Sequence, residues 1–227
     1  MLVVDIMHEC ELGTWKSLFT HLIRLLYAIS PAGQLVAELN SRFRQIPTFG
    51  RGVIRKFHNN ASEMRRLAAR DYEDLLQCSI PAFDGLLPEP HNKRVLTLLY
   101  RFAEWHALAK LRMHTDSSLA ILQDVTSKFC KELRRFRDET CSAFQTVELP
   151  KEQDARRRRK KGPAAGTASQ PSTSQSTRKA KSFNMTTYKI HAIGDYVRTI
   201  HEYGTTDSYT TQIVRLFLQS HFRQLLT

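Results

Sequence analysis

The chain has 227 residues, 41% hydrophobic and 25% charged, with a formal net charge of +12. That length allows one sizeable domain or two small ones, and no apolar run approaches the roughly 18–20 residues that span a bilayer. Cys10, Cys78, Cys130 and Cys141 form no CxxC pair, which argues against both a zinc ribbon and a disulfide scaffold. The first residues lack the basic region, apolar block and cleavage site of a signal peptide, so a protein that stays inside the cell is expected.

In chain order, Leu2-Val3-Val4 reads as a short buried strand that brings Asp5 to the rim of a sheet, with His8 three residues on. Leu12, Trp15, Leu18, Phe19, Leu22, Ile23, Leu25 and Leu26 follow at helical spacing and widen into a helix apolar over most of its circumference, interrupted by His21 and Arg24. Ser30 is expected to cap a second helix, with Pro31 at its first position and Leu35, Val36, Leu39 and Phe43 on its apolar face. A third helix is predicted from Asn60, with Glu63 completing a capping box, and it should stop before Pro81. Pro81 to Pro90 reads as a connection. Val95 to Ala109 marks a fourth helix, and Thr115 or Asp116 caps a fifth that carries Leu122, Val125, Phe129, Leu133 and Phe136.

The character then changes. Residues 150–182 hold +8 of the net +12, including the consecutive Arg156, Arg157, Arg158, Arg159, Lys160 and Lys161. Few apolar side chains are there to offset ordering entropy, so a disordered basic, Ser/Thr-rich linker is predicted. Helical spacing returns at Tyr188, Tyr196, Val197 and Ile200, and Gly204 should close that helix.

Asp5 and His8 are the best candidates for chemistry. A carboxylate at a strand end suits a hard cation such as Mg2+, and paired ions drive phosphodiester chemistry when two or three acids converge. The plainer reading is that Asp5 caps the following helix while His8 packs against it. His106 and His114, with Asp116, share roughly one helical face but match no established ligand spacing, which favours core or helix-end histidines. The run Arg156 to Lys161 reads as a nuclear-import signal, as an arm that neutralises phosphates, or as a solubilising linker.

Longer phrases carry a family likeness. They are Asp5-Ile-Met-His-Glu-Cys-Glu-Leu-Gly-Thr-Trp-Lys16, Arg55-Lys-Phe-His-Asn-Asn-Ala-Ser-Glu-Met64, Ala68-Ala-Arg-Asp-Tyr-Glu-Asp-Leu-Leu-Gln77, Trp105-His-Ala-Leu-Ala-Lys-Leu-Arg112, His191-Ala-Ile-Gly-Asp-Tyr196 and Gly204-Thr-Thr-Asp-Ser-Tyr209. From about residue 2 to residue 212 the chain resembles the transposase of Plavaka-type mobile elements, a CACTA-related group of mushroom-forming fungi. The resemblance implies an RNase H-like DDE enzyme whose acidic triad holds Mg2+ or Mn2+, with a helical insertion before the last acid. Asp5 and His8 match the Asp-x-x-His motif of the second acidic region, so the resemblance makes Asp5 a metal ligand and His8 its neighbour.

The expected fold is therefore mainly α: a bundle-like helical insertion with one N-terminal strand left from a truncated RNase H-like core. The segments expected are a core remnant over 1–29, the insertion over 30–149, the linker over 150–182, a return to the core over 183–210 and a divergent tail over 211–227. Two departures from the family stand out. The strand for the first acid would precede residue 1, and Ile213 to Thr227 carry no acid where relatives have a Glu-Leu-Glu-His type segment. One acid of three cannot hold a metal pair, so the expectation is an inactive, transposable-element-derived protein that needs no cofactor as it stands. It would keep residual binding to DNA or to a partner, with importin and a full-length transposase as candidate partners, no membrane, and a nuclear location. The alternatives are a nuclear DNA-binding or interaction module reused from a transposase, and an active metal-dependent transposase or nuclease.

Overall fold

The computed structural model describes residues 4–64, 67–160 and 178–211. The predicted strand rests mainly on Leu2 and Val3, which lie outside the described residues, as do 161–177 and the tail from 212 onward. Among the described residues the chain is mainly helical and has no sheet, only the isolated bridges Phe49–Ile54 and Val147–Ala180.

Asp5 caps the first helix. Its backbone is extended, and its side chain accepts a hydrogen bond from the Met7 N–H at 3.1 Å. The helix opens as a π-helical segment, Ile6–Trp15, and runs directly into α1 (Lys16–Ile29). The wider i→i+5 ring is visible where Lys16 N–H reaches the Glu11 carbonyl, and the Thr14 hydroxyl donates to the Glu9 carbonyl at 3.1 Å. Then follow α2 (Gln34–Gln45), α3 (Ala69–Gln77), α4 (Ser79–Phe83), α5 (His91–Ala109), α6 (Asp116–Arg135), α7 (Pro150–Lys160), α8 (Tyr188–Ala192) and α9 (Tyr196–Tyr203). A π turn, Phe136–Thr140, extends α6.

One apolar cluster runs from Val4 to Ile200 and includes residues on both sides of the expected segment boundaries at 29 and 182. Aromatic rings form its centre: Phe102 stacks on Phe129 at 4.6 Å between centroids, and Trp105 meets Tyr196 edge-on at 4.8 Å. Both indole N–H groups are satisfied, Trp15 by the Tyr72 carbonyl at 2.7 Å and Trp105 by the Thr126 hydroxyl at 2.9 Å. This requirement is general for buried tryptophan.

Several element boundaries differ from the sequence reading. Ser30 ends α1, and α2 starts only after a turn in which Gly33 takes φ +79°, because the Gly33 N–H bonds back to the Ser30 carbonyl. Asn60 caps no long helix. Its amide bonds the Glu63 side chain at 2.9 Å around a single 3-10 turn, which Met64 ends in a left-handed conformation. The helix proper begins at Ala69, where the Asp71 carboxylate accepts from the Ala68 N–H at 2.6 Å. Pro81 lies inside α4, in its first turn, where a missing N–H costs no helical bond. Two boundaries fall where the sequence reading puts them: Thr115 is the cap of α6, bonding the Ser118 N–H at 3.2 Å, and Gly204 closes α9 at φ +87°.

The start of the predicted linker is ordered: Pro150–Lys160 form α7. Polar contacts supply what apolar burial does not. Glu152 accepts from the Leu149 N–H at 2.8 Å and from Arg24 at 2.6 Å, while Arg156 places two nitrogens on Glu148 at 3.0 and 3.1 Å.

Candidate functional site

Asp5 is buried at the N-terminal end of the π-helical segment, and His8 is half exposed beside it. The Asp5 carboxylate gathers four donors. Oδ1 accepts from the Met7 N–H and from the Thr210 hydroxyl, each at 3.1 Å, while Oδ2 accepts from His8 Nδ1 at 2.6 Å and from the Thr211 hydroxyl. Burial opposes ionisation here, but the bonds from Thr211, His8, Met7 and Thr210 outweigh it and hold the carboxyl below its usual range. Glu9 sits one turn further on, and burial together with the Asp5 charge raises its carboxyl. Two phenols line the same region without hydrogen-bond partners, Tyr196 and Tyr209, and burial pushes Tyr209 up to about 12.

The cap reading of Asp5 and its pairing with His8 are thus both present. The contact with Thr210 and Thr211 had no local signal in the sequence, since some 205 residues separate the partners. Among the described residues, no group of three metal-ligand side chains includes Asp5.

Such a group does form elsewhere. Glu11 of the π-helical segment, Glu73 of α3 and His106 of α5 bring one ligand atom each within 4.8 Å of one another. His106 does not join His114, which lies at the start of α6 with Nδ1 3.2 Å from the Ser118 hydroxyl. Lys110, one turn after His106, reaches Glu73 at 2.7 Å and Glu11 at 3.5 Å. The i,i+4 spacing of His106 and Lys110 was the one trace of this cluster available in the sequence.

The basic run is divided by the fold. Arg156 turns inward to Glu148, Arg157, Arg158 and Arg159 are exposed, Lys160 ends α7, and Lys161 lies outside the described residues. The Val147–Ala180 bridge brings a second basic stretch beside the segment that leads into α7: Glu148 N–H bonds the Lys179 carbonyl at 2.8 Å and Lys181 N–H bonds the Thr146 carbonyl at 2.9 Å. Arg178, Lys179 and Lys181 are all exposed there.

The phrases quoted for the family likeness also meet in space. Arg55 pairs with Asp71 and Asp74, each at 2.8 Å, and the Thr206 hydroxyl donates to the Ala109 carbonyl at 2.8 Å. Glu11, Glu73 and His106 come from three different phrases. No family model matches this chain, and comparison with curated proteins and with solved structures gave no match. No helix among the described residues is long and apolar enough to cross a membrane.

Proposed function

We propose that the chain derives from a DDE-type transposase of the Plavaka kind and works in the nucleus by binding DNA or a protein partner rather than by cutting DNA. The observation that carries this reading is the meeting of Asp5 and His8 with Thr210 and Thr211. In the family likeness these are the second acid and the segment leading to the last one, so a shared ancestry accounts for their convergence.

Among the described residues, the donor set at Asp5 does not make up a two-metal site. Both its oxygens already accept bonds from protein donors, and no further pair of ligands joins it among the described residues. Two ions about 4 Å apart need several convergent carboxylates. No strand-transfer or hydrolytic step is therefore assigned to Asp5.

Binding is favoured by two exposed basic stretches, Arg157 to Arg159 in α7 and Arg178, Lys179 and Lys181 at the Val147–Ala180 bridge. Exposed guanidinium and ammonium groups that neutralise phosphates release counterions, which gives affinity a steep salt dependence. The same exposed arginines suit an importin-type receptor.

Duplex DNA binding measured against salt tests the reading. Replacing Arg157, Arg158 and Arg159 by Ser should weaken binding and flatten the log–log salt slope by up to about 3, roughly 0.9 for each phosphate no longer neutralised. An unchanged slope removes this surface from DNA binding. Supercoiled plasmid with Mg2+ or Mn2+ should stay intact, and nicking that disappears in Asp5→Asn would show an active nuclease instead.

A further inference from the structure

The cluster of Glu11, Glu73 and His106 has the composition of a metal site and does not depend on Asp5. We propose that these three side chains bind a single divalent transition-metal ion of the Zn2+ class, with Lys110 as a resident counter-cation that the ion displaces.

The three ligand atoms come from three separate elements and lie within 4.8 Å of one another. His106 Nε2 is 3.2 Å from Glu11 Oε1, close to the separation of about 3.4 Å between neighbouring ligands of a tetrahedral ion at roughly 2.1 Å. Only the Glu73 arm has to close in. Its stem is flexible and it stands at the outer edge of the cluster, 18% exposed, whereas Glu11 is 1% exposed and His106 5%.

Glu11 supplies the second, independent observation. Its Oε2 is buried and has no hydrogen-bond partner, although Oε1 of the same carboxylate faces both His106 and Lys110. A buried, unpaired carboxylate oxygen is costly. A bidentate hold on the ion would give Oε2 the partner it lacks while Oε1 keeps its place beside His106.

Charge points the same way. Two carboxylates face the single ammonium of Lys110, so the formal charges at the cluster do not balance. A divalent ion in place of the ammonium cancels both. Lys110 is 29% exposed, so its head can swing into water while its stem stays in place, and the same opening admits the ion. One imidazole with two carboxylates favours borderline transition ions over Mg2+ or Ca2+, which prefer all-oxygen shells. Three protein ligands leave the fourth tetrahedral position for water.

The test uses the full chain in an Asp5→Asn background, so that an ion at Asp5 is not counted. Asn at that position still caps the helix. Metal-stripped protein is titrated with Zn2+ by calorimetry, and with Co2+ by visible absorption. The expected result is one equivalent of Zn2+, an absorption band typical of nitrogen–oxygen coordination with Co2+, and no displacement by excess Mg2+. Glu73→Gln and His106→Gln should each weaken binding by at least about tenfold, while Lys110→Met should tighten it. Far-UV circular dichroism checks that each variant keeps its helices, and Glu73, at the outer edge, is the substitution least able to disturb folding. Failure of both the parent and Lys110→Met to bind Zn2+ at millimolar concentration overturns the proposal in favour of an ion-pair network. Binding unaffected by Glu73→Gln and His106→Gln overturns it too.

Discussion

His21 shows how one residue sets a pH limit. It belongs to α1, is fully buried, packs against Phe136 and Phe183 at 6.1 and 5.3 Å, and neither ring nitrogen has a partner. Burial, with the Arg24 charge beside it, lowers its pKa from 6.5 to about 4. The unfolded chain takes up a proton near pH 6.5 that the folded chain refuses until about pH 4. Stability is therefore complete above pH 6.5 and falls as the pH drops toward 4, by about 3 kcal/mol at most. His21→Leu should remove that part of the acid sensitivity. In urea titrations, the stability difference between the variant and the parent should grow as the pH falls from 7 to 4.5, and a constant difference contradicts the assignment. In the sequence this histidine read only as an interruption of an apolar stripe, because pattern marks a core position but not whether its polar atoms find partners. Asp5 was legible for the opposite reason: its contacts with Met7 and His8 lie within three residues of it.

At the scale of elements, helices were legible where the apolar spacing was long or a cap was local, as for α5, for Thr115 at α6 and for Gly204 at α9. The π-helical opening was not. Its register follows from long-range contacts: Glu11 toward α5, and Thr14, whose hydroxyl also donates to the Lys189 carbonyl at 3.1 Å. Gly13 permits the close approach of α8. A Cβ placed there would lie 2.7 Å from the His8 carbonyl oxygen and 3.1 Å from Lys189 Cβ. The flexible end of Lys189 can yield, but the His8 carbonyl belongs to the helix itself. Alanine in a helix gains about 1 kcal/mol over glycine, whereas forcing a methyl into a packed contact costs about 1–3 kcal/mol. Gly13→Ala should thus lower stability, visible as a reduced urea midpoint. A raised midpoint means that helix propensity outweighs packing and that α8 sits further away. Neither glycine conformation nor periodicity could have signalled this, since the neighbour arrives from 176 positions downstream in the sequence.

Over the whole molecule, composition located the charge correctly, but not how far the two sides of the basic region depend on each other. Residues 178–211 are not an appendage. Phe183, Ile190, Ile193, Tyr196 and Ile200 are all buried in the cluster that also holds Trp15 and Trp105. Each such side chain contributes roughly 1.5–3 kcal/mol when buried, so together they supply about 10 kcal/mol. That equals the net stability of a typical domain, about 5–15 kcal/mol. Tyr196 covers Trp105, and Phe183 covers His21. A chain of residues 1–160 made alone should therefore lack a cooperative unfolding transition, and its Trp emission should be red-shifted because Trp105 loses its cover. Supplying residues 178–227 as a separate chain should restore both, since the missing interactions are packing rather than covalent. Co-purification of the two pieces, with a blue-shifted emission and one urea transition seen alike by fluorescence and circular dichroism, is the expected outcome. If residues 1–160 alone unfold with the midpoint of the full chain, the return segment is dispensable, and the meeting of Asp5 with Thr210 and Thr211 loses its energetic basis.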